Sequence, residues 1–418
     1  MSAEKEGLVS KETIKKAVSN LMRTRMRLGL FDEHTPYDDI PYDVVACNEH
    51  VAVSKECALK SMVLLKNDGL LPLSKDKLKS IAVIGPNSDS IDALRGNYYG
   101  TGAHMKTFLA GINDAVGDDV RVFYSEGCHI NEDRLQNLAM ARDGLQEAII
   151  VAEKSDVVVL CVGLDATLEG EQGDTGNAFD SGDKRNLLLP ESQRELIQKV
   201  LAVGKPTILV LSAGSSINPL AEKANAIIDT WYPGEMGGSA LADILFGKVS
   251  PSGKLPVTFY KEVEKLPDFT DYSMNNRTYR YTRDNILYPF GYGLTYTRMH
   301  VTALTYDAAL KKATATIVNQ GKYDSDEVVF LYIHDDASKN ATPFPKLCGF
   351  SRVHVKQGET LTTELILDDS AFVVVDEEGN VSQENTNFTL YAGICGPDPI
   401  SESLTDEKAI SIQINQPK

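Results

Sequence analysis

The sequence predicts an α/β domain followed by a smaller all-β domain, and two observations support this prediction. From about residue 79, short β-rich runs without polar alternation are separated by helical stretches, which is typical of a mostly parallel sheet covered on both faces. After about residue 290 the chain has alternating strands with turn signals and no convincing helix, which indicates a small antiparallel sandwich. At 418 residues the chain is also too long for one ordinary core.

The first part of the chain is predicted to hold two helices. SKETIKKAVSNLMRTRMRLGLFD has amphipathic spacing, with Ser10 and Gly29 as plausible limits. The following EHTPYDDIPYD carries two prolines and several acids, which predicts an extended connector. The second helix is predicted in NEHVAVSKECALKSMVLLKND, where apolar residues recur at roughly helical spacing.

The middle part alternates between the two kinds of element. The predicted strands are SIAVIG, VRVFYS, DVVVLCVG, TILVLSAG and AIIDTWY. The predicted helices are HMKTFLAGINDAV, RLQNLAMARDGLQEAIIVAEK, ESQRELIQKVLAV and GGSALADILFG. In such sheets the functional groups usually lie in loops beyond the carboxyl ends of the strands, so these loops are where a site is expected. The strands predicted for the all-β part are ATATIVNQ, EVVFLYIHD, KLCGFSRVHV, ETLTTELIL and NFTLYAGI.

Composition and charge exclude several classes of function. A formal net charge of −17 disfavours nucleic acid and anionic membranes as partners, because their phosphates would be repelled. No apolar run is long enough for a transmembrane helix, and the first residues lack the apolar core of a signal peptide. The six cysteines have no CxxC spacing, which argues against a structural zinc and a disulfide framework. These features predict a cytoplasmic protein without a bound metal.

The stretch TLEGEQGD places Glu169, Glu171 and Asp174 directly after a predicted buried strand. A solvated acidic loop is one interpretation, since runs of charge usually face water. A Ca²⁺ site is less favoured, because neither EF-hand spacing nor a suitably placed glycine is present. The third interpretation is a general acid, because a carboxyl group close to other carboxylates retains a proton near neutral pH.

Three further motifs allow weaker functional interpretations. VIGPNSDSID follows a strand but is neither GxGxxG nor a P-loop, so nucleotide binding has little support. LSAGSS does not match GxSxG, and His129 is the only histidine between His104 and His300, which disfavours a hydrolase triad. The aromatic pair Tyr98 and Tyr99 in GNYYGT either packs internally or forms a platform for a sugar ring.

Several of these stretches, taken in order, resemble the C-terminal portion of glycoside hydrolase family 3, which includes β-glucosidases and β-xylosidases. The matching stretches are ALKSMVLLKNDGLLPL, IAVIGPNSD, GNYYGT, GLDATLEGEQGD, LLLPESQRELI, TWYPGEMGGSALADILFGKVSPSGKLPVTF and LYPFGYGLTYT. The resemblance covers nearly the whole chain. It implies an α/β sandwich domain at residues 79–262, a linker at 263–290 and a fibronectin type III-like domain at 291–418.

The resemblance also implies roles for individual residues. In the family a glutamate on a loop after a strand is the general acid/base, and matching that loop to TLEGEQGD points to Glu169, with Glu171 as the alternative. Tyr98 matches a position where the family places an aromatic ring against the sugar. GNYYG and the spacing around Glu169 look more like the β-xylosidase and α-arabinofuranosidase branch than the β-glucosidase branch. No cofactor is implied.

The sequence departs from the family pattern at the catalytic nucleophile. The family places this aspartate in a Ser-Asp-Trp motif on a separate N-terminal barrel, whereas the only tryptophan of this chain, Trp231, lies in DTWYPGE. Residues 1–78 resemble the last barrel helix and the interdomain linker. We therefore expect an exo-acting, retaining β-glycosidase portion that supplies the acid/base, acts on oligosaccharides or glycosides, and is inactive without a barrel from a separate domain or chain. The alternative is a non-catalytic carbohydrate-binding or partner-docking module.

Overall fold

The structure is a computed structural model that describes residues 2–132, 140, 142–171 and 184–418. Asp174 of the acidic stretch therefore lies outside the described residues. The chain divides into two compact units, residues 1–52 and residues 53–418.

The first unit is built around one long helix. Its elements are α1 (Ser2–Lys5), α2 (Lys11–Arg27) and the start of α3 (Asn48–Ser61). Helix α2 begins at the predicted cap, because the side chain of Ser10 accepts the Thr13 N–H at 3.1 Å. None of the residues of α2 is buried, although the helix is amphipathic in sequence.

The second unit begins with an α/β domain whose centre is a six-stranded sheet. Its strands are β1 (Val63–Asn67), β2 (Ser80–Ile84), β3 (Arg121–Ser125), β4 (Val157–Gly163), β5 (Thr207–Ser212) and β6 (Ala226–Asp229). Its helices are α4 (Phe108–Val116), α5 (Asp143–Glu153), α6 (Glu191–Ala202) and α7 (Gly237–Leu245). The strand order is β1-β6-β5-β4-β2-β3, with parallel pairing from β3 to β6 and antiparallel pairing of β1 with β6. The predicted mostly parallel sheet is confirmed.

Strand β1 was not expected from the sequence, which predicted that the second helix runs through VLLKN. Helix α3 instead ends at Ser61, and residues 62–65 are buried. An edge position on the sheet is open beside β6, and the chain fills it from Val63, which lies opposite Asp229. Burial of three consecutive apolar side chains on both faces of a sheet suits a strand better than one face of a surface helix.

Two apolar clusters cover the two faces of this sheet. Alternate residues of β4 point to opposite faces, because side chains along a strand alternate. Val158, Leu160 and Val162 belong to the cluster that includes α5 and α6, whereas Val159 and Cys161 belong to the cluster that includes α4 and α7. All residues of β4 are buried, which explains its continuous apolar sequence.

The second domain of this unit is an antiparallel sandwich. Before it lie β7 (Phe259–Tyr260), α8 (Thr278–Tyr281) and β8 (Ile286–Tyr288), with β7 and β8 paired. The sandwich itself contains β9 (Met299–Asp307), β10 (Lys312–Asn319), β11 (Ser325–His334), β12 (Lys346–Val355), β13 (Thr360–Ile366), β14 (Val374–Val375), β15 (Val381–Ser382), β16 (Asn387–Gly393), α9 (Pro399–Thr405) and β17 (Ile410–Asn415). Its sheets have the orders β13-β10-β9 and β12-β11-β16-β17, and one apolar cluster fills the space between them.

Helix α9 corrects the expectation that the all-β part has no helix. Asp398 caps it by accepting the N–H groups of Ile400 and Ser401, and Pro399 occupies its first turn. At seven residues it is too short for apolar periodicity to reveal it, although a capping aspartate followed by proline is a recognisable start signal.

A buried ion pair connects the sandwich to the α/β domain. The Nζ atom of Lys254 lies 2.8 Å from Oε1 of Glu327, and these side chains are only 7% and 1% exposed. Lys254 also donates to the carbonyl oxygen of Gly293 at 2.7 Å. Next to this pair, Arg352 donates to the hydroxyl oxygen of Ser252 at 2.7 Å. Within the residues that the structure describes, no helix combines the length and apolar character needed to cross a membrane.

Candidate functional site

The end of strand β4 is fixed tightly against its neighbours. At Gly163 a Cβ atom would lie 1.9 Å from the carbonyl oxygen of Ser212 in β5, so only glycine fits there. The buried side chain of Gln193, from α6, accepts the Gly163 N–H at 2.8 Å and donates to the Gly163 carbonyl at 2.7 Å. The loop that follows β4 therefore starts from a rigid position.

A side-chain turn then determines where Glu169 lies. The carboxylate of the buried Asp165 accepts both the N–H and the hydroxyl group of Thr167, at 2.9 and 2.6 Å. The Glu169 N–H donates to the Asp165 carbonyl at 2.9 Å, which closes one helical turn. Leu168, 4% exposed, packs into the core beneath this turn. The Glu169 carboxylate is thereby directed along the carboxyl edge of the sheet.

Hydrogen-bond donors from two other strand ends meet the Glu169 carboxylate. Its Oε2 atom accepts the Gly214 N–H and the Tyr232 hydroxyl group, both at 2.7 Å. Its Oε1 atom accepts the Ser215 hydroxyl group. Gly214 and Ser215 lie two and three residues after the end of β5, and Tyr232 lies three residues after the end of β6. Because β4, β5 and β6 are adjacent and parallel, their carboxyl ends lie at one edge of the sheet, which brings these groups together.

Lys184 adds a positive charge on the Oε1 side of the carboxylate. Its Nζ atom lies 3.7 Å from Glu169 Oε1, and the two side chains are 20% and 13% exposed. Lys184 also donates to the hydroxyl oxygen of Ser215 and, at 2.9 Å, to the carbonyl oxygen of Ser216. Burial lowers the pKa of Lys184, while the Glu169 carboxylate acts in the opposite direction.

These contacts differ from the surroundings that the sequence suggested for Glu169. A cluster of carboxylates was expected, but the described partners of Glu169 are an amide N–H, two hydroxyl groups and an ammonium group. The first three donate hydrogen bonds to Glu169 and the ammonium group forms an ion pair with it, which matches a carboxylate that only accepts hydrogen bonds. The described groups around Glu169 are therefore suited to contact a carboxylate.

Tyr232 also contacts the loop that carries the predicted aromatic platform. The ring of Tyr232 lies against Gly96, where a Cβ atom would be 2.9 Å from the ring. Two residues further on, Tyr98 is 82% exposed and has a positive φ of 58°. Beside it, the Arg95 guanidinium group lies 3.9 Å above the centre of the Tyr99 ring. The loop of Tyr98 is thus adjacent to the tyrosine that binds Glu169, and Tyr98 itself faces solvent.

Asp229, the last residue of β6, is a buried carboxyl group close to this site. It is 1% exposed, and its Oδ1 atom accepts the Trp231 N–H at 3.1 Å. Its Oδ2 atom is buried and has no hydrogen-bond partner among the described residues. Burial, with a smaller contribution from the charge of Glu169, raises the pKa of Asp229 to about 8.

The other sequence motifs have different surroundings. Glu171 is exposed, in contrast to Glu169. Asn87 and Ser88 of the IGPNS loop are fully buried, and the Asn87 amide donates to the Leu164 carbonyl at 3.1 Å. This loop therefore supports the segment after β4, and its side chains do not line an open phosphate site. In the described ranges, no group of three or more His, Cys, Asp or Glu side chains is placed to hold a metal ion.

A cavity of 460 Å³ lies away from Glu169, where the sandwich meets the segment after β8. Its lining includes Arg298, Glu327 and Glu407. These three charged groups already have partners, because Arg298 binds Glu407 at 2.9 Å and Glu327 binds Lys254. We therefore assign the candidate site to the Glu169 edge, where hydrogen-bond donors from two strand ends and an ammonium group meet one carboxylate, and not to this cavity.

Comparison with known proteins identifies the class to which this architecture belongs. Residues 62–296 match the model of the glycosyl hydrolase family 3 C-terminal domain, and residues 327–394 match that of a fibronectin type III-like domain. Since the first match alone covers more than half of the chain, the chain belongs to glycoside hydrolase family 3. The resemblance seen in the sequence is confirmed, as is the predicted fold class.

The relatives of this chain include both a β-xylosidase and a β-glucosidase. The chain is 33% identical to a β-xylosidase of Formosa agariphila, over 96% of this chain and 55% of that protein. It is 31% identical to a periplasmic β-glucosidase of Salmonella typhimurium, over 93% of this chain and 55% of that protein. The chain thus spans about half the length of these curated relatives.

Solved structures show the same relationship. A β-glucosidase from Erythrobacter marinus superposes with a TM-score of 0.83 at 29% identity, covering 100% of this chain and 57% of that one. A family 3 exo-β-xylosidase, solved with a xylobiose aziridine probe, superposes with a TM-score of 0.83 at 26% identity, covering 100% and 55%.

Sequence reasoning missed four residues that the structure places at or beside Glu169, namely Lys184, Ser215, Asp229 and Tyr232. Ser215 lies in LSAGSS, which was considered only as a nucleophile elbow, and Asp229 and Tyr232 lie in DTWYPGE, which was considered only for its tryptophan. Their common signal is position, because Ser215, Asp229 and Tyr232 all lie at carboxyl ends of predicted parallel strands. Lys184 follows no strand and had no such signal.

Proposed function

We propose that these 418 residues are the C-terminal part of a retaining, exo-acting β-glycosidase that removes terminal β-linked xylose or glucose, with Glu169 as the general acid/base. The observation that carries the proposal is the fixed position of Glu169. Donors that follow β5 and β6 hold both of its oxygen atoms at the carboxyl edge of the sheet. A solvated surface carboxylate would not have three such partners and a side chain only 13% exposed.

In this proposal the reaction has two steps. A carboxylate nucleophile attacks the anomeric carbon while Glu169 protonates the departing glycosidic oxygen, and Glu169 then takes a proton from the water that releases the sugar. The donors around Glu169 suit the second step, in which it acts as a base. In the first step Glu169 must carry a proton. We expect this proton on Oε1, the oxygen atom that faces Lys184, so the leaving-group oxygen should approach from the Lys184 side.

The nucleophile must come from outside these 418 residues, since they contain no Ser-Asp-Trp motif. We propose that a barrel domain or chain supplies it, because the relatives extend well beyond the region matched here. The barrel would also provide most of the sugar contacts, while Tyr98, 82% exposed, would add an aromatic face to the outer part of the substrate site.

Complementation tests this proposal. The 418-residue chain would be mixed with the part of the Formosa agariphila β-xylosidase that precedes the matched region, and hydrolysis of aryl β-xyloside and aryl β-glucoside measured. We expect no turnover by either part alone and turnover by the mixture. Glu169→Gln should abolish most of it. Glu171→Gln is the matched control, because it makes the same change two residues away at an exposed position.

Leaving-group dependence then separates an acid/base from a binding residue. In complemented Glu169→Ala, substrates with a poor leaving group should lose activity, whereas a dinitrophenyl glycoside, which needs no protonation, should still form the glycosyl-enzyme. Added azide should release that intermediate as a β-glycosyl azide. An equal loss for both classes of substrate, without azide rescue, would contradict the assigned role.

The second candidate is a non-catalytic carbohydrate-binding or partner-docking module. The observation that favours it is the solvent-facing Tyr98 next to the stacked Arg95 and Tyr99, which could bind a sugar ring without any chemistry. Binding of xylobiose or cellobiose to the isolated chain, lost in Tyr98→Ala and unaffected by Glu169→Gln, together with failed complementation, would favour this module.

A further inference from the structure

The turn from Asp229 to Tyr232 joins a buried carboxyl group to the site. Asp229 ends β6, and its Oδ1 atom accepts the N–H of Trp231 two residues later at 3.1 Å. Trp231 has a positive φ of 54°, a backbone region that bulky side chains rarely adopt. The next residue, Tyr232, donates its hydroxyl group to Glu169. The direction in which Tyr232 leaves the strand therefore depends on a turn that Asp229 helps to hold.

The indole of Trp231 fixes the other side of this turn. Its Nε1–H donates to the Ser61 carbonyl at 3.1 Å, and its ring lies edge-on to Phe259 with the ring centres 6.0 Å apart. These contacts hold the side chain of Trp231, but its backbone N–H has the Asp229 carboxyl group as its acceptor. Without that acceptor, the left-handed backbone of Trp231 has less to stabilise it.

We infer that Asp229 is a positioning residue for Glu169: its buried carboxyl group holds the Asp229–Tyr232 turn, and through that turn it keeps the Tyr232 hydroxyl group on the Glu169 carboxylate. The inference rests on the proposed role of Glu169. It adds a residue whose effect on Glu169 passes through Tyr232.

The charged groups around Asp229 give this arrangement a pH dependence. On its own strand end, Asp229 faces the backbone of Trp231, and from the loop after β4 it faces the charge of Glu169. Lys184, whose Nζ atom lies 3.7 Å from Glu169 Oε1, partly balances that charge. From β1 and β5 the directly paired residues are Val63 and Leu211, which are uncharged. Ionisation of Asp229, whose pKa is raised to about 8, would place two carboxylates beside one turn.

The only tryptophan of the chain lies in this turn, so its fluorescence reports on Asp229 directly. Trp231 emission of the 418-residue chain would be followed from about pH 6 to about pH 10 in the wild type, Asp229→Asn and Glu169→Gln. We expect a step near pH 8 in the wild type. Asp229→Asn should lose the step because an amide does not ionise in this range, and its oxygen can still accept the Trp231 N–H and hold the turn. Glu169→Gln should move the step to lower pH. A wild-type profile without a step, or a step that persists in Asp229→Asn, would overturn the inference.

The effect of Asp229 on Glu169 is measured by NMR, from the carboxyl ¹³C signal of Glu169 in a chain labelled at its glutamates. This signal is assigned as the one that is missing in Glu169→Gln. We expect this signal to shift through the same step near pH 8, and the shift to fall to less than half in Tyr232→Phe, which removes only the hydroxyl group. A shift of unchanged size in Tyr232→Phe would mean that Asp229 acts on Glu169 by direct charge and not through the turn, which would overturn the inference.

A third variant tests the turn itself at a pH below the step. Asp229→Ala should displace the Glu169 signal as Tyr232→Phe does, and Asp229→Asn should restore it. A Glu169 signal left in place by Asp229→Ala would also overturn the inference. Should Asp229→Ala fail to fold, the titrations of the wild type, Asp229→Asn and Tyr232→Phe still decide it. None of these readouts needs a substrate or a barrel, so failed complementation would count against the proposed function alone.

Discussion

Replacing Asp229 with asparagine should make the protein more stable at alkaline pH relative to the wild type. Asp229 is 1% exposed, its Oδ2 atom has no hydrogen-bond partner among the described residues, and burial raises its pKa from 3.8 to about 8. The folded chain therefore keeps a proton on Asp229 at neutral pH that the unfolded chain has released. An asparagine side chain at this position would occupy similar space and would have no charge to bury.

The magnitude follows from this difference in pKa. Below about pH 4 the carboxyl group is protonated in both states, and it does not make the free energy of unfolding depend on pH. As the pH rises from about 4 to about 8, only the unfolded state releases the proton, so the wild type loses up to about 1.4 kcal/mol per pH unit. Above about pH 8 both states are ionised, and the loss levels off at about 5–6 kcal/mol.

Urea unfolding at about pH 5 and about pH 8 measures this effect. The free energy of unfolding of Asp229→Asn, relative to the wild type, should rise by about 3–4 kcal/mol between the two conditions. Any cost of fitting the amide itself is independent of pH and cancels in this comparison. Parallel pH profiles for the two proteins would refute the reasoning.

Asp156→Asn provides the matched control for this measurement. The exposed carboxylate of Asp156 accepts the N–H groups of Lys79 and Ser80, and the Lys79 N–H is the main reason that its pKa is lowered from 3.8. The stability that it contributes is present above its unfolded pKa and is lost as the pH falls below that value. Between about pH 5 and about pH 8 its replacement should therefore give a constant offset from the wild type.

Three other substitutions have expected outcomes. Lys254→Met should lower the free energy of unfolding, measured with urea, by about 3–5 kcal/mol, because Glu327 would keep an uncompensated charge at 1% exposure. The double variant Lys254→Met/Glu327→Leu should regain most of this loss. Gly163→Ala should abolish the cooperative unfolding transition seen by circular dichroism, because its Cβ atom would lie 1.9 Å from a carbonyl oxygen of β5. Tyr232→Phe should lower the turnover of the complemented enzyme about tenfold, since a hydrogen bond to a charged group contributes about 1.5 kcal/mol.

Much of the fold could be predicted from the sequence because its strands are buried on both faces. DVVVLCVG is continuous and apolar, and the corresponding strand, β4, is buried throughout. Strand β1 could not be predicted in the same way, because VLLKN continues a helical pattern and becomes a strand only by pairing with β6. That pairing joins Val63 to Asp229, and no local pattern indicates a contact over such a separation.

The candidate site, like the fold, could be predicted only in part. Glu169 was found because it follows a strand and matches a family loop. Its partners were not found, since Ser215 and Tyr232 are 46 and 63 positions away in sequence and reach it only through the order of the strands. The kind of group that surrounds Glu169 could not be predicted from the sequence either. Nearby acids in TLEGEQGD suggested repulsion, whereas the described contacts of Glu169 are donors brought from elsewhere in the fold.

The residues that hold Glu169 all belong to the domain that carries it. Its orientation is therefore completed when this domain folds and does not wait for a second domain to dock. In the proposed enzyme, the acid/base half of the catalytic pair would be finished before assembly, and docking would only have to bring a nucleophile and a sugar to it. If the proposal holds, such a half would be interchangeable, and barrels with different sugar preferences could be joined to it while the residues that transfer the proton stay the same.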